Sequence, residues 1–133
     1  NKPGHRGNPS TSVAEFHHIV AELDRMGLQT HTHATGDGGI RLVLDAIENA
    51  AKLNATSDRR HGIVHVECIH PDDLSRLAQL GITAAMQPRH CSPDLMEGSW
   101  MKLSMASGQF VKRHFGVFQH TWCIKKKGLD CLM

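Results

Sequence analysis

Leu23-Asp24-Arg25-Met26-Gly27-Leu28 and Leu77-Ala78-Gln79-Leu80-Gly81-Ile82 share one device. In each, a helical spacing of apolar residues runs out at a glycine and a strand-like stretch follows at once. Glycine takes up the left-handed backbone that ends a helix without steric penalty. Both junctions therefore read helix, cap, strand. Repeated along a chain, this is the grammar of βα units around a parallel sheet, and it places the chain in the α/β class.

The neighbouring segments agree. Ser12-Val13-Ala14-Glu15 matches a capping box, so a helix begins near Val13, and Val13, Phe16, Ile19, Val20, Leu23 and Met26 form its expected apolar stripe. Residues 28–33 alternate with period two, which predicts a strand with His31 and His33 on one face. Asp37 is the expected N-cap of a second helix carried by Ile40, Val43, Leu44, Ile47 and Ala51. A polar linker at 54–60 leads to a strand at 62–68. Pro71 opens a third helix carried by Leu74, Leu77 and Ala78, and residues 82–87 form a third strand apolar enough to be buried on both faces.

Composition bounds the function. The chain has 133 residues, 40% apolar and 21% charged, which is the balance of one globular domain and not of a disordered segment. No apolar run approaches the roughly 20 residues of a membrane span, and the start NKPGHRGNPS has no signal-peptide core, so the expectation is a soluble, cytoplasmic chain with no membrane partner. A net charge of +2 and the lack of tyrosine argue against a nucleic-acid partner. The basic run at 125–127 is the weak counter-indication. Cys68, Cys91, Cys123 and Cys131 form no C-x-x-C pair, which argues for reduced thiols and against a zinc knuckle.

Eleven histidines are the compositional excess, and position must sort them. Ligands gather at the C-terminal ends of parallel strands. His33 and His65 fall at or near such ends in successive units, and neutral imidazoles from neighbouring strands can reach one metal ion. They read as metal ligands or as satisfied or solvent-facing histidines. His90 follows the third strand, at the same mouth or in an exposed loop. His17, His18, His61, His70, His114 and His120 read as helix-surface, linker or tail residues. The Gly36-Asp37-Gly38-Gly39 turn carries a carboxylate where a phosphate would sit and matches neither glycine-rich phosphate motif. A nucleophilic serine or cysteine finds no motif either.

The segments HATGD (33–37), IVHVECIHPDDL (63–74) and AAMQPRH (84–90), together with the KPGHRG start (2–7), resemble the amidohydrolase superfamily, and within it the amidohydrolase-3 branch of D-aminoacylase-like and N-substituted formamide deformylase-like enzymes. The resemblance covers about residues 2–95. It implies an internal fragment of a (β/α)8 TIM barrel, about three βα units corresponding to strands 5 to 7, followed by an unassigned tail at 96–133 that reads as a non-native continuation. It further implies a metal-dependent hydrolase of non-peptide carbon–nitrogen bonds, with zinc as the divalent metal and a small amide-type molecule as substrate. His33 matches the strand-5 ligand and His65 the strand-6 ligand. His31, Asp37 and His90 become candidates for supporting the ligands or touching substrate.

The departures from the family pattern are specific. The strand-1 H-x-H pair, the strand-4 bridging residue and the strand-8 aspartate that activates water have no counterpart, and Val64 stands where glutamate is common. A barrel needs typically about 250 residues. The chain alone is accordingly expected to be inactive. The alternative is a non-enzymatic α/β module that binds a metal or a partner, with self-association through open sheet edges.

Overall fold

The computed structural model describes residues 9–55 and 58–87. Contacts divide the chain after Ala85, and the first unit, Asn1–Ala85, contains every helix and strand among the described residues. The order is α1 (Val13–Arg25), β1 (His31–Ala34), α2 (Asp37–Leu53), β2 (Gly62–His65), α3 (Pro71–Gln79) and β3 (Thr83–Ala85). The strands form a parallel sheet in the order β1-β2-β3. The fold is α/β, as the helix–glycine–strand junctions require.

Both capping glycines behave as expected, with φ of 71° at Gly27 and 64° at Gly81. Ser12 caps α1, its hydroxyl accepting from the Glu15 N–H at 3.2 Å. Pro71 opens α3, and His70 precedes it as N-cap, its Nδ1 accepting from the Asp72 N–H. The second helix differs. Its N-cap is Gly36, and Asp37 is the first helical residue, with Oδ1 accepting from the Gly38 N–H at 2.8 Å. The aspartate thus serves the helix start from inside the first turn, where its charge also suits the helix dipole.

The core lies between α2 and its neighbours. Ile40, Leu44, Ile47, Ile63, Leu77, Val20 and Val66 are almost wholly buried, each side chain contributing about 1.5–3 kcal/mol. The expected stripe on α1 is only partly used. Val20 is buried, but Val13, Ile19 and Met26 are exposed, and the buried positions are Val20, Ala21 and Asp24. The reason is that α1 packs mainly on α2, and a helix–helix contact is narrower than a helix–sheet one. The strands are also shorter than their alternation suggested, and β3 is half-buried, as suits a strand at the sheet's edge.

An ion network ties α3 to α2. Arg76 donates to Asp45 and Glu48 at 2.7 Å each and to Asp73 at 3.0 Å, while Arg41 donates to the other Asp73 oxygen at 2.8 Å. Burial opposes the charge of Arg76, but these carboxylates outweigh it and raise its pKa. The clamp fixes the helix between β2 and β3.

Candidate metal centre

β1 and β2 run side by side with His33 opposite Val64 and Ala34 opposite His65, so their C-terminal ends meet. His31 and His33 share one face of β1 and are exposed. Strict alternation would send His65 to the face opposite Val64, away from His33. The backbone instead turns left-handed, with φ of 82° at His65 and 54° at Val66, a region that β-branched residues rarely enter. His65 meets His33: the Nδ1 of His33 lies 2.9 Å from the Nε2 of His65. The ring centroids are 4.9 Å apart and the planes are inclined by 51°. One of these nitrogens donates the hydrogen and the other accepts it.

The other candidates fall elsewhere. His31 sits one pleat repeat below His33, opposite Gly62. Its ring occupies the space a side chain at 62 would fill, since a Cβ there would come within 2.6 Å of His31 Nδ1. Asp37 is exposed at the turn that follows β1. His90, like His114, His120, the 125–127 run and three of the cysteines, lies outside the described residues. Cys68 is half-buried.

Glu67 is the residue at this end that the sequence reading missed. Its Oε1 is 3.8 Å from His65 Nδ1, and its side chain is 12% exposed against 16% for His65. Only its place two residues after His65 could have flagged it.

At the opposite ends of the strands a second polar cluster is buried. Asp24 (1% exposed) accepts at Oδ1 from Arg59 Nε at 3.0 Å and from His61 Nε2 at 3.1 Å, and at Oδ2 from Asn54 at 2.8 Å. His61 (2% exposed) accepts at Nδ1 from the Thr30 N–H at 3.2 Å, with the Thr30 hydroxyl at 2.9 Å. A backbone N–H can only donate, so the proton of His61 is on Nε2 and points at Asp24. His61 is therefore not a surface linker residue; it joins the end of α1 to the starts of β1 and β2. Burial is the largest single influence on Asp24 and opposes its charge, but the hydrogen bonds from Asn54, His61 and Arg59 together hold its pKa below the ordinary value. Asp24, Gly27, Leu28, Gln29, His61 and the 58–60 run line an open groove of about 360 Å³. The aspartate, imidazole and hydroxyl are aligned like a nucleophilic triad. Since the His61 Nδ1 lone pair also takes a backbone N–H, the cluster works as a buried polar staple.

Parallel βα units with an imidazole pair at the C-terminal ends of adjacent strands define the class: an α/β chain with two imidazoles at the strand ends, where such sheets bind ligands. The chain belongs to the amidohydrolase family, in the amidohydrolase-3 branch; the family's sequence model matches residues 2–108. Among curated proteins it is similar to Protein LONG AFTER FAR-RED 3 of Arabidopsis thaliana, with 39% identity over 92 residues, which is 69% of this chain and 16% of that protein. It is also similar to YtcJ of Bacillus subtilis (strain 168), assigned by name to the amidohydrolases, with 25% identity over 99 residues, 70% of this chain and 18% of that protein. The chain thus spans less than a fifth of the length of either relative. No solved structure matches it. No helix among the described residues is long and apolar enough to cross a membrane.

Members of this family commonly use divalent metals, and the imidazole pair fits such an ion. Two nitrogens each about 2.0–2.1 Å from one tetrahedral zinc ion stand roughly 3.3 Å apart, and the 2.9 Å between His33 Nδ1 and His65 Nε2 opens to that with a side-chain shift of a few tenths of an ångström. Among the described residues no group of three or more histidine, cysteine or acidic side chains could hold a metal.

Proposed function

We propose that this chain is part of a metal-dependent hydrolase of non-peptide carbon–nitrogen bonds, built on a (β/α)8 barrel to which it contributes three βα units. The supporting observation is the convergence of His33 Nδ1 and His65 Nε2 at 2.9 Å, from strand ends brought together by parallel pairing. These two side chains would hold a divalent ion, zinc by the chemistry of an imidazole donor set. When bound, such an ion lowers the pKa of water and polarises an amide carbonyl.

The chain's own residues position and orient. β1 presents His33 on a short strand whose last residue, Ala34, is buried and fixed. The left-handed turn at His65 and Val66 aims the second imidazole at the first. His31 fills the row below and closes the floor over Gly62. Asp37, exposed at the turn after β1, and His90 are the proposed contacts for a small amide-type substrate. No residue of the strand-8 aspartate type is assigned, so this chain alone lacks the base that takes a proton from water. A hydrolysis assay on the full chain with added zinc is expected to show no turnover of amide substrates. Turnover abolished by His65→Ala would overturn that expectation.

A second reading, an interaction module without catalysis, has one observation in its favour. His31 and His33 are exposed and Thr83 and Ala85 half-buried on a parallel sheet, whereas parallel sheets ordinarily bury both faces. That reading predicts self-association through the sheet. Analytical ultracentrifugation tests it, a concentration-independent monomer counting against it.

A further inference from the structure

We infer that Glu67 is a positioning residue for the imidazole pair: its carboxylate accepts from His65 Nδ1–H and so keeps the His65 Nε2 lone pair directed at the site. The inference rests on the reading of His65 as a metal ligand. The His65 ring has a neighbour at each nitrogen, the Glu67 carboxylate 3.8 Å from Nδ1 and His33 Nδ1 2.9 Å from Nε2. The side chains of His65 and Glu67 are both largely buried, at 16% and 12% exposure.

The backbone is built to bring them together. Val66 is fully buried at φ 54°, a conformation that costs a β-branched residue of order 1–3 kcal/mol and persists only where its surroundings over-determine it. Those surroundings are visible. The Val66 N–H donates to Ala34 O at 3.1 Å and the Cys68 N–H to Thr35 O at 2.8 Å, pinning the turn to the end of β1. An extended strand would carry His65 to the far face. The pinned left-handed turn brings it to His33 and puts Glu67 at its other nitrogen.

The chemistry follows from imidazole having one proton and one lone pair when neutral. With the proton on Nδ1 toward Glu67, Nε2 is an acceptor, and the short contact becomes His33 Nδ1–H donating to His65 Nε2. A carboxylate behind a ligating histidine fixes the tautomer and ring orientation and makes the nitrogen a better donor to metal. At 3.8 Å the two groups stand beyond hydrogen-bond distance, and the inferred bond requires the side chains to close on each other by about 1 Å.

The test uses the full chain, ¹⁵N-labelled, above the ordinary imidazole pKa of about 6.5, with long-range ¹H–¹⁵N spectra reading the His65 tautomer. The expected result is Nδ1–H in the wild type, a shift toward Nε2–H in Glu67→Ala, and zinc binding by calorimetry weaker by about 10–100-fold. Glu67→Gln, which keeps the shape and an acceptor oxygen, should fall between the two. A wild-type His65 that carries its proton on Nε2 overturns the inference, and that measurement needs no variant to fold. So does a folded Glu67→Ala chain with unchanged tautomer and zinc affinity. If His65→Ala also leaves zinc binding intact, the ligand reading itself fails; if His65→Ala weakens it and Glu67→Ala does not, only the role of Glu67 falls.

Discussion

Gly62 lies directly against the His31 imidazole, so close that a Cβ at position 62 would stand 2.6 Å from Nδ1 and 2.7 Å from Cε1. The strand register sets this pair opposite each other, and the glycine is what allows a large ring on the neighbouring strand. Gly62→Ala is expected to destabilise the fold by about 1–3 kcal/mol, as overpacking does. His31 is exposed and can be truncated without opening the core. The double variant Gly62→Ala, His31→Ala should therefore recover much of the loss, with a coupling of about 1 kcal/mol. Urea denaturation of the four chains measures it, and additive effects would show that the ring and the glycine do not share this space.

Removing Asp24 leaves the Nε of a half-buried arginine and a buried imidazole N–H without their acceptor. Arg59 and His61 both donate to the same Asp24 oxygen, and breaking one partner of a buried pair costs about 3–5 kcal/mol. Asp24→Ala should lower unfolding free energy by about 3 kcal/mol, a large part of a small domain's stability. Asp24→Asn keeps one acceptor and should cost less. Equal losses in the two variants would show that size, not hydrogen bonding, matters at this position.

Stability should also fall in acid, with a definite sign. Asp24 has a folded pKa below its ordinary value, which is about 3.9. Its contribution is fully present above that value and is lost as pH falls from there through the lower folded value. Because Asp24 is paired with Arg59 and His61, Asp24→Asn should show a shallower decline over that window. Thermal unfolding of the two chains between neutral pH and acid checks it; parallel curves would assign the acid loss to other carboxylates.

Local rules made much of the fold legible. Gly27 and Gly81 end helices because a left-handed residue is needed there, and Ser12 and Pro71 open them for equally local reasons. The positions of His33 and His65 one βα unit apart also carry over directly into adjacent strand ends. What stayed hidden depends on three-dimensional partners. Asp24 reads as a polar residue in a helix's last turn, and nothing local shows that Asn54, Arg59 and His61 converge on it. His61 looks like part of a charged linker for the same reason. The left-handed turn at His65 and Val66 breaks the alternation that strand reading relies on, so the route by which His65 reaches His33, and the place of Glu67 behind it, are visible only in the fold.

The central claim is that His33 and His65 act together as two donors to one divalent ion. Zinc titration of the full chain by calorimetry, beside His33→Ala and His65→Ala, tests it most directly. The account predicts that each substitution weakens zinc binding by roughly tenfold or more and that the double variant is little worse than either single one, as expected for ligands of a single site. Zinc binding that survives both substitutions unchanged would contradict it.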